Sequence, residues 1–223
     1  MTTKVRPRAE EAASWVDFLQ DISELGKRLG TGGMRGPAEE GILGALDTSQ
    51  IDSPKSLSIF LKRYSDRVLV PIEIPTITEA SLMVGRGEFK ELLDLDQRLA
   101  QRAEWRPFAD ASRWVGSCHA RSMRGMKDHR TVWRYCEAIR TKQANGWHAV
   151  VYGVVLSAFS IPLRQGISNY CDRTLGGFVD AVALTRGFSS TEVIQLKAQF
   201  SGELAPEIDR ALAFQQGPRL KVV

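Results

Sequence analysis

The chain has 223 residues, 43% of them hydrophobic and 25% charged, with a net charge of +4 and an isoelectric point near 9.1. These ordinary fractions place it among soluble globular proteins of one large or two small domains, and its 30 basic residues are interspersed with 26 acidic ones rather than gathered in a nucleic-acid-binding tail. Cys118, Cys136 and Cys171 have no C-x-x-C spacing, and no apolar stretch follows the first basic residues, so reduced thiols, no membrane insertion and cytoplasmic residence are expected.

Along the chain the dominant period is helical. Trp15, Phe18, Leu19, Ile22, Leu25 and Leu29 recur at steps of three and four, and Gly30-Thr31-Gly32-Gly33 ends that pattern. A short helix is expected from Pro37 through Leu46. Ser53-Pro54 then reads as an N-cap with proline at the first helical position, followed by the stripe Leu57, Phe60, Leu61, Tyr64 and Val68. Pro71 and Pro75 are expected to break this helix, and Thr76 to Glu79 has the spacing of a capping box opening the next, which Gly85 and Gly87 close.

Phe89, Leu92, Leu93, Asp96 and Leu99 mark a further helix, and Pro107, Phe108, Val115 and Met123 another. Asp128 is a candidate cap for a segment containing Val132, Trp133, Tyr135 and Ile139, which stops at Asn145-Gly146. From His148 to Ile161 nearly every residue is apolar or small. That run is too short for the roughly 20 residues that cross a bilayer, and it fits a buried helix. Pro162 then restarts an amphipathic pattern through Leu163, Ile167, Tyr170, Cys171, Phe178 and Val182, within which Gly176-Gly177 is a candidate for close backbone approach. Ser189 to Glu192 is a second capping box, and Pro206 is expected to start the last helix. The β-branched stretches Arg67 to Ile77 and Ala149 to Val155 offer strands as an alternative. Prolines in the first and the lack of alternation in the second favour helix. The expectation is an all-α, single-domain bundle of about ten helices.

Catalytic equipment is sparse. His119, His129 and His148 are the only imidazoles, with no G-x-S-x-G elbow or phosphate-binding loop beside them. Cys118 and His119, with Cys136 and His129 near in sequence, offer soft and imidazole ligands, but adjacent helical residues point about 100° apart and seldom share a metal. No metal site is expected there. Arg121, Arg124, Lys127, His129, Arg130 and Arg134 surround Trp133 in one basic cluster; without a helix-turn-helix or zinc finger it favours an acidic protein surface over nucleic acid. The pair Asp94 and Asp96 reads as part of a solvated face. The residues thus favour an adaptor over an enzyme.

More specifically, H-A-V-V-Y-G-V-V-L-S-A-F-S-I-P-L from His148 to Leu163, followed by Tyr170, resembles the signature of the urease accessory protein UreF family. Gly87-Glu88-Phe89, Leu95-Asp96, Ala111-Ser112-Arg113 with Gly116, and Phe178 to Val182 resemble further family positions in the same order. Arg219-Leu220 resembles the family's tail. The first fifty residues depart from the pattern: Thr31-Gly32-Gly33-Met34 stands where the family has Leu-Pro-x-Gly-Gly-Phe. Gly177, Leu184 and Ser190 replace its Asn, Arg and Gln.

The resemblance divides the chain into a divergent helical segment, 1–50, and a UreF-like helical domain, 51–223, forming one continuous unit. It implies a non-catalytic homodimer without a cofactor of its own, bridging UreD (also called UreH) and the GTPase UreG while nickel is inserted into apo-urease. His148, Pro162, Tyr170 and Phe178 are expected in the core or dimer seam, and Arg219, Leu220 and Lys221 on the UreD-like partner. A helical paralogue that binds nucleic acid or acidic protein through Arg121 to Arg134, or a metal-binding protein using Cys118 and His119, remains the alternative.

Overall fold

The computed structural model describes residues 51–103 and 109–216. Among these, eight α-helices and no strand are present: α1 (Pro54–Tyr64), α2 (Ile74–Arg86), α3 (Phe89–Ala100), α4 (Ala109–Ser122), α5 (Arg130–Arg140), α6 (His148–Ala158), α7 (Leu163–Arg186) and α8 (Ser190–Gln216). The all-α expectation holds, and both stretches that competed as strands are helical. The expected helices between residues 10 and 46 lie outside the described residues, as do Pro107 and Phe108.

α6 occupies the centre of the bundle. Nine consecutive residues, His148 to Leu156, are buried, so the helix needs apolar side chains on every face rather than on one stripe. It packs chiefly against α2 and α4, while α7 and α8 pack on each other. Gly153 makes the α2 contact close: a Cβ there would overlap the Ile77 carbonyl oxygen and Ala80. Leu57, Leu61, Leu69, Ile74, Ile77, Leu92 and Ile167 complete the interior around it.

Two local starts follow the expected chemistry. Ser53 caps α1, with Ser56 returning the hydrogen bond. At α8, Glu192 accepts from both the backbone N–H and the hydroxyl of Ser189, at 2.8 and 2.7 Å, while its own N–H donates to Ser189 Oγ. At α5 the cap position is His129 rather than Asp128, and no side chain caps it.

The prolines behave differently from the expectation. Pro71 does not end a helix: Ser65–Glu73 forms a π-helical stretch that joins α1 to α2, giving a continuous helix from Pro54 to Arg86. The wider turn moves the hydrogen-bond register past a residue that has no N–H to donate. Thr76 to Glu79 therefore lies inside a helix, where Thr78 Oγ1 donates to the Ile74 carbonyl instead of capping an end. Pro206 likewise lies inside α8 rather than starting a helix. α5 stops at Arg140, before Asn145-Gly146, with Lys142 in the left-handed region at φ 62°.

The 33-residue helix Pro54–Arg86 is long and apolar enough to cross a membrane by length and composition, and 61% of its most apolar window is buried inside the fold. Its apolarity has an outlet in the core against α6 and α7.

Candidate functional site

Two buried polar clusters flank α6. The first is built on Asp96, fully buried on the core side of α3 beside Leu92, Leu95 and Leu99. Oδ1 accepts from the Asn145 backbone N–H at 2.7 Å and from its side-chain amide at 2.9 Å. Oδ2 accepts from the Tyr135 hydroxyl at 2.7 Å and the Gly146 N–H at 2.9 Å, while Trp147 Nε1 donates to the Asp96 carbonyl at 2.7 Å. One carboxylate thus ties α3 to α5 and fixes the turn that launches α6. The solvated reading of Asp96 is corrected; Asp94 is the exposed member of that pair.

The same turn presses on α4. A Cβ at Gly116 would overlap the Gly146 carbonyl, and Ser112 Oγ accepts the His148 N–H at 2.9 Å. Trp147, at the cap position of α6, turns its indole to Asp96 and does not cap the helix, so Ser112 on a neighbouring helix accepts the first N–H instead.

The second cluster contains Glu73, the last residue of the π-helical stretch, 4% exposed. Its Oε2 accepts from the Tyr64 hydroxyl at 2.9 Å and Oε1 from the Tyr170 hydroxyl at 3.0 Å. No cation pairs with it among the described residues. Burial pushes its carboxyl up to about 7, against the two phenol hydrogen bonds, which favour the ionised form. Burial and the neighbouring Glu73 charge in turn hold both phenols well above their usual range.

Tyr170 Oη also lies 3.5 Å from His148 Nδ1, and the His148 ring stands edge-on to His119, centroids 5.4 Å apart. Among the described residues His148 Nε2 has no hydrogen-bond partner. Burial lowers the basicity of both rings, His119 to about 4 and His148 well below its ordinary value, so both are neutral at pH 7. Phe178 packs edge-on to Tyr64 and Phe60, with ring centroids 5.0 and 5.5 Å apart.

His148, Tyr170 and Phe178 are therefore core residues, and the structure brings the first two together. Pro162 is exposed at the cap position of α7, outside that core. Arg219, Leu220 and Lys221 lie outside the described residues. Cys118 is half-buried, Cys136 and His119 are buried, and no group of three His, Cys, Asp or Glu converges as metal ligands among the described residues.

Arg121, Lys127, His129, Arg130, Trp133 and Arg134 are exposed, with the Arg134 guanidinium 3.9 Å from the Phe89 ring centroid. The groove between α7 and α8, about 420 Å³, is lined by Gly176, Gly177, Asp180 and Lys197. Gly176 is not needed for close backbone approach, since an added Cβ would meet only Lys197 Cε, at 3.6 Å.

Sequence reasoning missed Glu73 and the role of Asp96. A signal existed for each: a lone carboxylate inside V-L-V-P-I-E-I-P, and an acidic residue at a core-facing helical position between Leu92 and Leu99. No curated protein matches the chain. A protein-family model, UreF, matches residues 51–199, well over half of the chain and including α1 to α7. The chain belongs to the UreF family of urease accessory proteins.

Proposed function

We propose that this chain serves urease maturation as a non-catalytic adaptor, bridging a UreD-type protein and a UreG-type GTPase while nickel passes to apo-urease. The observation that carries the reading is the family match across residues 51–199. The interior chemistry is compatible with it: Asp96 is fully engaged in fastening helices, a role suited to a rigid scaffold. In this reading nickel is cargo of the assembled complex. The chain acts as a homodimer in the cytoplasm, and the segment Arg219-Leu220-Lys221 docks on the UreD-type partner.

Co-expression with urease subunits and the other accessory proteins, in a host lacking its own UreF, tests the reading. Urease activity and bound nickel should appear with the chain and be absent without it; equal activation in both would overturn it. Truncation after Gln216 should leave the helical circular-dichroism signal intact and abolish co-purification with the UreD-type protein. Full retention of that complex would reject the tail's role.

A further inference from the structure

Glu73 is a buried carboxylate that, among the described residues, meets two phenols and no cation, an arrangement in which the charge is costly and the neutral acid has a ready use. As drawn by the distances, both phenols donate to the carboxylate, and the Tyr170 to His148 approach is stretched at 3.5 Å. We propose that Glu73, Tyr170 and His148 form a proton-gated latch: one proton taken up by Glu73 turns the Tyr170 hydroxyl from the carboxylate to His148 Nδ1.

The step needs only hydrogen-bond reversal. Ionised Glu73 accepts from Tyr64 through Oε2 and from Tyr170 through Oε1. With a solvent proton on Oε1, the acid donates to Tyr170 Oη, whose own hydrogen then points to His148 Nδ1. Oε2 still accepts from Tyr64. Neutral imidazole supplies one acceptor nitrogen, so His148 takes this bond without changing charge.

The ionised state ties α1 and α7 to the π-helical stretch, and the protonated state joins α6 to the same chain of bonds. Proton uptake thereby adds a fastening between the central helix and its neighbours. A π-helical turn is a recurrent place for such devices, because its register is already shifted from that of the flanking helices.

Among the described residues, the titratable groups around Glu73 come from four helices. Tyr64 faces it from α1, and Tyr170 and Cys171 from α7, where burial and then the Glu73 charge push the thiol up. His148 and Tyr152 stand on α6 against Tyr170, and His119 on α4 touches His148. His119 and His148 stay neutral where Glu73 titrates, held so by burial, and burial likewise keeps the Tyr152 phenol protonated.

Nuclear magnetic resonance of the full-length chain, carrying ¹³C-labelled glutamate and ¹⁵N-labelled histidine, tests the latch between about pH 5 and 8. The Glu73 carboxyl should titrate near neutrality, and the His148 Nδ1 shift should follow with the same midpoint. In Tyr170→Phe the Glu73 midpoint should rise, since one hydrogen bond to the ionised form is gone, and His148 should stop following it. Glu73→Gln should hold His148 at the low-pH signature at every pH, its amide donating to Tyr170 as the acid does. Should Glu73→Gln fail to fold, the wild-type and Tyr170→Phe titrations decide alone. A Glu73 midpoint in the ordinary carboxylate range, a His148 shift independent of it, or coupling that survives in Tyr170→Phe would each overturn the proposal.

Discussion

A carboxylate with four donors is worth more through what its loss exposes than through any one bond. Removing Asp96 strands the buried Tyr135 hydroxyl and Gly146 N–H and leaves the N–H of half-buried Asn145 without its acceptor. Each unsatisfied buried group costs about 1–3 kcal/mol, with partial relief where water enters. Asp96→Ala should therefore destabilise the chain by about 4 kcal/mol in urea unfolding at pH 7. Tyr135→Phe, which removes one donor along with its need, should cost only about 1 kcal/mol. Equal costs would show that the turn before α6 draws its order from elsewhere. The sequence contains both halves of this cluster in plain view, Leu95-Asp96 and Asn145-Gly146, but 49 residues apart. Local periodicity reads the first as one more charge on a helix and the second as a stop signal. Only the packing of α3 on α5 and the α6 launch makes them one site. Glu73 was hidden for a related reason: the prolines around it suggested a break, so its place facing the core could not be counted from a helical register.

At the scale of whole elements, apolar pattern and capping chemistry were readable because both act within a few residues. The start of α1, the start of α8 and the all-round burial of α6 follow from them. Proline was misread because its missing N–H was treated as a helix terminator, whereas a π-helical turn carries Pro71 and α8 runs through Pro206. Glycine gives a second difference. Of the candidate close-approach pair Gly176-Gly177, Gly176 has room for a methyl, whereas a tight helix crossing lies at Gly153, where α6 meets the α2 backbone. One substitution made at two sites separates these roles, because the gain in helix propensity, up to about 1 kcal/mol, is common to both. Gly176→Ala should stabilise by about 0.5–1 kcal/mol, its methyl meeting only a flexible lysine chain. Gly153→Ala should destabilise by about 1–3 kcal/mol, since the Ile77 carbonyl oxygen belongs to a helix backbone and cannot swing away. The comparison is read from thermal midpoints of the two variants against the parent. A neutral Gly153→Ala would mean that α2 and α6 have room to part.

For the molecule as a whole, the buried titratable groups give stability a pH dependence to which Glu73 and two imidazoles contribute with opposite signs. Its carboxyl stands at about 7 in the folded chain against an ordinary 4.5, so folding binds a proton between those values. That contribution is full below pH 4.5 and is lost as pH rises through 7. His119 runs the other way: its folded value of about 4 lies below the ordinary 6.5, so its contribution is full above 6.5 and is lost as pH falls toward 4. His148 has the same sign, its basicity also lowered by burial and then by His119. Between pH 4.5 and 6.5 His119 and Glu73 roughly cancel, and His148 tips the balance, so stability should climb with pH. Above 6.5 the imidazoles fall silent and Glu73 alone acts, so the curve should turn downward until about pH 7 and then flatten. Glu73→Gln removes the opposing carboxyl. Its climb below pH 6.5 should steepen by roughly one proton, about 1.4 kcal/mol per pH unit, and its curve above 6.5 should lose the downturn. Urea midpoints collected across this range for the parent and Glu73→Gln read both features. Parallel curves would place the Glu73 proton outside the folding equilibrium, whereas divergence confined to this window would identify the carboxyl at the end of the π-helical stretch as the group that opposes the imidazoles across it.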